Sequence, residues 1–180
     1  MKTTINGCVL ELIEGDITRQ ETDAIVTAAN RHLAGGGGVD GAVHRAAGPQ
    51  LLAACRQIGG CPTGEARLTP GFNLKARYVI HAVGPVYHGS PEDARLLAGA
   101  YQWSLRLARE NGCLSIAFPA ISTGVYGYPL KEAARASLQA VIADLEEHPG
   151  LELVRFVLFG PEAARAHDLA LQELLPHKEN

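Results

Sequence analysis

Asn30 and Asp40 are the side chains whose types and spacing best suit chemistry. Between them stand four consecutive glycines, Gly35 to Gly38. A carboxylate can orient or deprotonate a water molecule. An amide just past a buried strand can fix a turn. A glycine run lets backbone N–H groups close on an anion. Glycine loses more backbone freedom on folding than any other residue, so a run of them needs a reason. At a strand-to-helix turn the reason is a phosphate gripped by bare N–H groups. The pattern predicts a phosphate-binding loop with a reactive carboxylate at its edge.

Two common phosphate motifs fit poorly. Gly36 and Gly41 have P-loop spacing, but Ala42 and Val43 stand where Lys and Ser/Thr are required. Without a lysine for the phosphates or a hydroxyl for magnesium, a nucleoside triphosphatase is not indicated. Gly36, Gly38 and Gly41 also satisfy G-x-G-x-x-G, a cheap match within a glycine run. The dinucleotide fingerprint follows its strand directly, whereas Asn30 to Ala34 intervene here. A second small-residue loop, Ser122-Thr123-Gly124-Val125-Tyr126-Gly127, follows another short apolar run. Two such loops with few cations suit a diphosphate held by backbone N–H groups.

These loops must be carried by rigid elements. Short apolar runs at residues 8–14, 24–28, 66–69, 78–83, 114–119 and 153–159 read as strands. Helices are expected at residues 39–47, 50–58, 92–110, 129–145 and 161–175. Leu96, Ala100, Trp103 and Leu107 form the expected buried stripe of the third helix. Strands alternating with helices predict an α/β domain with helices on both sheet faces. Ligands then bind beyond the carboxyl ends of the strands. Asp16, the 30–40 loop, the 122–126 loop and Phe159 all fall there.

Several residues carry two readings. Asp16 could accept a hydrogen bond from a ligand amine, or its turn could be a helix start with Thr18 and Glu21 as a capping box. His44 shares a helical face with Asp40 and either tunes it or packs. His81, in mid-strand, is expected to be a satisfied core residue. The four cysteines, Cys8, Cys55, Cys61 and Cys113, form no C-x-x-C pair and are expected to be reduced, apolar-like side chains.

The 180 residues, 47% hydrophobic, suit one domain, and the net charge of -3 gives no basic footprint for nucleic acid. Met1 to Gly7 contains no apolar signal core, and no later run reaches transmembrane length. A monomeric cytoplasmic protein without a membrane partner is expected.

The chain resembles the macrodomain family, in its MacroD-type branch of ADP-ribosyl hydrolases. The matching segments are Gly15-Asp16-Ile17-Thr18, the run from Asp23 to Asn30, Gly35 to Gly41 with its Val-Asp-Gly ending, Val79 to Pro85, and Phe118 to Pro129. The resemblance implies a three-layer α/β/α fold around a central mixed, mostly parallel sheet, a single macrodomain over residues 1–176, and a frayed tail at 177–180. It implies an ADP-ribose cleft. Asp16 would accept from the adenine amine beside the Ile17 backbone, and Phe159 would stack on the base. Gly37, Gly38 and Val39, opposite Ser122, Thr123, Gly124, Val125 and Tyr126, would hold the diphosphate. Asn30 would bind a distal-ribose hydroxyl, Tyr126 would pack on that sugar, and Asp40 would orient or activate water. Asn30 and Asp40 are the expected catalytic pair. Thr27 departs from the branch, which usually has Asn there.

The implied activity is ester hydrolysis at the distal ribose. Substrates would be O-acetyl-ADP-ribose and mono-ADP-ribose on protein Asp or Glu, with no cofactor or metal. Alternatives are a non-catalytic ADP-ribose reader and a phosphatase acting on ADP-ribose 1''-phosphate.

Overall fold

The computed structural model describes residues 1–176; the expected tail at 177–180 lies outside the described residues. The strands are β1 (Lys2–Ile5), β2 (Cys8–Glu14), β3 (Ala24–Ala28), β4 (Ala66–Pro70), β5 (Tyr78–Ala82), β6 (Ser115–Phe118) and β7 (Leu153–Leu158). The helices are α1 (Gly38–Ala47), α2 (Pro49–Ile58), α3 (Pro91–Glu110), α4 (Leu130–Glu147) and α5 (Pro161–Leu174).

The strands form one seven-stranded sheet in the order β1-β2-β7-β6-β3-β5-β4. The edge pairs β1/β2 and β4/β5 are antiparallel, and every pair between them is parallel. The central strands are short and apolar because both of their faces are covered. On one face, Val26, Ile80, Phe118 and Phe156 pack beneath α3, α4 and α5. On the other, Ile25, Val79, Ala117 and Val157 meet Val43, Ala47 and Leu51 of α1 and α2. The fold is therefore the expected three-layer α/β/α sandwich with a mixed, mostly parallel sheet.

Two sequence expectations need correction. Strand β1 was not anticipated. It pairs with β2 through a hairpin at Asn6-Gly7, where both residues have positive φ (49° and 80°). Asn-Gly is favoured there because the turn matches the twist of the flanking strands. The buried stripe of α3 is also different. Leu97, Tyr101, Ser104, Leu105 and Ala108 are buried with Ala100, while Leu96, Trp103 and Leu107 lie at its half-buried margin. A hydropathy reading passes over Tyr101 and Ser104 as polar. Each hydroxyl finds a partner: Ser104 Oγ donates to the Ala100 carbonyl at 2.7 Å.

Tyr101 ties the core to the second loop. Its hydroxyl donates to the Pro119 carbonyl at 2.9 Å and accepts from the Ile121 N–H at 3.1 Å. Its ring packs 4.9 Å from Phe118 and 5.7 Å from Phe156. Tyr101→Phe keeps the ring and leaves both loop groups unpaired and buried. Its expected cost is about 1–3 kcal/mol in chemical denaturation; wild-type stability would refute the tie.

Candidate active site

The parallel strands deliver their carboxyl-terminal loops to one edge of the sheet. Strand β2 leads to Asp16, its neighbour β7 to Phe159, β6 to Ser122–Tyr126, β3 to Asn30–Asp40 and β5 to Gly84. The sheet order thus arranges the expected adenine, diphosphate and catalytic residues in a row.

At the β2 end, Asp16 caps a short 3-10 turn, Ile17–Arg19. Its Oδ1 accepts from the Thr18 N–H at 2.9 Å and from the Thr18 hydroxyl at 2.6 Å. The capping-box expectation is therefore displaced by one partner: Asp16 is the cap, and Glu21 instead pairs with Lys75 at 3.2 Å. The two Thr18 hydrogen bonds hold the Asp16 carboxyl below its ordinary value, so it stays an acceptor. Ile17 buries its side chain in the α1-side core. Phe159 is 87% exposed, an unusual position for a large aromatic ring.

The glycine loop runs from Asn30 into α1. Asn30 staples it: Nδ2 donates to the Gly35 carbonyl at 2.9 Å, and Oδ1 accepts from the Ala34 N–H at 3.2 Å. Gly35 and Gly38 have φ of 75° and 57°, which a side chain would strain. Gly41 is required by contact, because a Cβ there would lie 2.5 Å from the Gly36 carbonyl oxygen. Gly38, Val39 and Asp40 open α1, and their N–H groups have no partner among the described residues. They form a helix N-terminus, where partial positive charge favours an anion.

The second loop faces this one from the adjacent strand. Ser122 is buried, has φ of 69°, and its hydroxyl has no partner among the described residues. Gly84 makes room for it, since a Cβ there would sit 2.2 Å from Ser122 Oγ. The Tyr87 N–H donates to the Tyr126 carbonyl at 2.9 Å and the Tyr128 N–H to the Ser122 carbonyl at 2.9 Å. The N–H groups of Thr123, Gly124, Val125 and Tyr126 have no partner among the described residues. Val125 projects fully into solvent.

Asp40, in the first turn of α1, is 5% exposed. Thr27 Oγ1 donates to its Oδ1 at 2.9 Å, and His44 Nε2 lies 3.6 Å from the same oxygen. Burial raises the Asp40 carboxyl above its ordinary value, and the Thr27 hydrogen bond and His44 only partly offset this. His44 thus answers both of its readings: it faces Asp40, and its ring packs 6.3 Å from His81. His81 is the expected satisfied core residue, bonded through Nε2 to Thr69 Oγ1 at 2.9 Å. Burial and His44 push its pKa down to about 3, so its ring is neutral. Cys55 lies 3.8 Å from the His81 ring nitrogens, and burial and Asp40 push its thiol up to about 11.

Donor atoms of His44, Cys55 and His81 lie within 4.8 Å of one another. Within this group Cys55 Sγ lies 3.8 Å from the His81 ring nitrogens, and His81 Nε2 is bonded to Thr69 Oγ1 at 2.9 Å. The four cysteines are free and buried, as expected. A groove of about 620 Å³ between α4 and α5, lined by Lys131, Arg135, Glu162 and Arg165 among others, lies across the sheet from Asp40. Among the described residues no helix is long and apolar enough to cross a membrane.

Sequence reasoning noted Thr27 only as a departure and missed Gly84, Tyr87 and Tyr101. Strand alternation was the available signal for Thr27. Ile25 faces α1, so Thr27 must also face it.

The Macro domain family model matches residues 26–137. The chain belongs to the Macro domain family. Among its relatives, the O-acetyl-ADP-ribose deacetylase of Klebsiella pneumoniae is 57% identical over 159 residues, covering 86% of this chain and 91% of its own. The Oceanobacillus iheyensis macrodomain with ADP superposes with a TM-score of 0.93 at 46% identity, covering 97% of this chain and 95% of its own. The Trypanosoma brucei macrodomain in complex with ADP-ribose gives 0.85 at 45% identity, over 90% of this chain and 68% of its own.

The burial of Asp40 makes a stability prediction for this macrodomain. A carboxyl whose folded pKa is raised penalises folding when ionised. The penalty is absent below the unfolded value of about 3.9 and complete above the folded value, so this contribution to stability falls as pH rises between them. Asp40→Asn is expected to stabilise the fold at neutral pH by about 0.5–2 kcal/mol. The gain should shrink toward about pH 4. Denaturation midpoints across pH check this, and a variant no more stable than wild type at neutral pH contradicts it.

Proposed function

We propose that this macrodomain binds ADP-ribose and hydrolyses esters at its distal ribose. Its substrates are O-acetyl-ADP-ribose and mono-ADP-ribose attached to protein Asp or Glu side chains. The observation that carries this reading is a buried carboxylate, Asp40, bonded to Thr27 at the edge of a loop lined with unpaired N–H groups. The deacetylase name of the Klebsiella relative and the ADP-ribose in the Trypanosoma structure support it.

Adenine lies against Phe159 with its amine on Asp16 and the Ile17 backbone beside it. The diphosphate spans Gly37, Gly38 and Val39 on one side and Ser122 to Tyr126 on the other. Asn30 and Tyr126 hold the distal ribose next to Asp40. Asp40 orients the attacking water and accepts its proton; the water oxygen bonds to the acyl carbon, and the proton passes to the departing ribose oxygen as the ester bond breaks, giving the acid and the ribose hydroxyl. An ordinary Asp is a weak base at neutral pH; burial brings it nearer the useful range. The working unit is a single domain over residues 1–176, acting as a cytoplasmic monomer without metal or cofactor.

A pure reader gains little from a buried carboxylate beside a doubly charged ligand. The test pairs turnover of an ADP-ribosylated protein and of O-acetyl-ADP-ribose with calorimetric ADP-ribose affinity. Asp40→Ala is expected to lose roughly a hundredfold or more in kcat while still binding ADP-ribose. Asn30→Ala is expected to lose turnover and, because Asn30 staples the loop, affinity as well. Unchanged turnover in both variants would sink the catalytic assignment. Binding without turnover by the wild type would make the protein a reader.

A further inference from the structure

We infer that the Thr27 hydroxyl is a positioning group for Asp40, holding Oδ1 so that Oδ2 alone is presented to substrate and water. This deepens the ester-hydrolase reading above and rests on it.

Thr27 is fully buried in β3, between β6 and β5. A buried hydroxyl must spend its one hydrogen on a partner. Thr27 spends it on Asp40 Oδ1, at 2.9 Å. Its side chain is β-branched and stiff about χ1 within a strand, so the direction of that hydrogen bond is set by the sheet. His44 Nε2 approaches the same oxygen, at 3.6 Å. Oδ2 has no partner among the described residues, yet it is not one of the fully enclosed, unpartnered polar atoms. The little solvent contact of this side chain therefore includes Oδ2. The division is asymmetric: one oxygen is tied to the sheet, and the other is open.

The groups facing Asp40 come from several elements. His44 lies on α1 itself, Thr27 on β3, Cys55 on α2, and His81 on β5 behind His44. Cys55 and His81 are neutral, as shown above, and His44 reaches Oδ1 only at a distance beyond a hydrogen bond. Among the described residues Thr27 is thus the one direct hydrogen-bond donor to the carboxylate. When the carboxyl is protonated on Oδ2, Oδ1 can still accept from Thr27, but the bond is strongest to the ionised form, so its loss raises the titration.

The test replaces the hydroxyl in the full chain. Thr27→Val removes it at nearly constant shape, Thr27→Ala removes it without a second branch, and Thr27→Ser restores it. Two readouts are taken. The first is the carboxyl 13C NMR titration of Asp40, assigned by the loss of its signal in Asp40→Asn. The second is the pH profile of kcat and KM on an ADP-ribosyl ester. In Thr27→Val the Asp40 titration is expected to rise by about half a unit to one unit. The acidic limb of kcat should follow it, with about a tenfold loss in kcat and a KM within about twofold. Thr27→Ser should titrate like wild type. Thr27→Ala is read in the same way if the valine variant does not fold. An Asp40 titration unmoved by loss of the hydroxyl overturns the inference. So does a matched change in kcat and KM with an unmoved limb, which is what a purely structural role predicts. A wild type that cleaves no ester at any pH ends the hydrolase reading, while the NMR titration still decides whether Thr27 sets the state of Asp40.

Discussion

Keeping one carboxylate out of water is the constraint around which this macrodomain is arranged. Asp40 is 5% exposed, and an unpaired charge at that depth is expensive. Three features reduce the cost. Asp40 sits in the first turn of α1, where the helix dipole favours a negative side chain. Thr27 gives Oδ1 a hydrogen bond from the sheet, and His44 lies one helical turn away on the same face. They do not cancel the cost, because the carboxyl remains raised. The residue is held in a state that is poor for stability and useful for proton transfer. Such a conflict between local cost and chemistry is a mark of functional sites.

The glycine loop follows from the same constraint. Asp40 is buried among Thr27, His44 and Cys55, and the loop that leads into its helix is nearly bare backbone. The Gly36 carbonyl packs against Gly41 so closely that a methyl group on α1 would collide with it. Asn30 closes the loop with both ends of its amide. A loop built this way has few side chains to interpose between ligand and N–H groups. The facing loop uses a different device: Ser122 takes a left-handed conformation that glycine adopts more cheaply, and Gly84 vacates the space its hydroxyl occupies. Tyr101 anchors that loop from the core side, and the Tyr87 N–H anchors it from the β5 side.

Much of this was legible in residue types and spacing. The strands and helices are bounded by glycine and proline, and the loops at the strand ends carry residues that no core needs. What stayed illegible was set by neighbours distant in sequence. The buried stripe of α3 depends on where Tyr101 and Ser104 find hydrogen-bond partners, which hydropathy cannot report. Strand β1 depends on a two-residue turn whose φ values matter more than its polarity. Asp16 caps its own turn because Thr18 supplies both an N–H and a hydroxyl, whereas Glu21 is drawn to Lys75, far along the chain. Thr27 was legible only as a departure from the pattern the chain resembles. The partner that gives it a role lies on a different element.

The absence of a basic excess also finds its physical place. Phosphate sites are often recognised by lysine and arginine, and a net charge of -3 could be read as evidence against a phosphate ligand. The unpaired N–H groups at the α1 N-terminus and in the 122–126 loop can supply positive potential without formal charge. That choice matters for the carboxylate. A cationic side chain placed to bind the diphosphate next to Asp40 would lower the carboxyl and weaken it as a base. Backbone N–H groups attract the phosphates with a field that falls off within a turn of the helix. On the proposed reading, backbone N–H groups hold a doubly charged ligand without placing a cation on the carboxylate, and the glycines bring the two requirements into one loop.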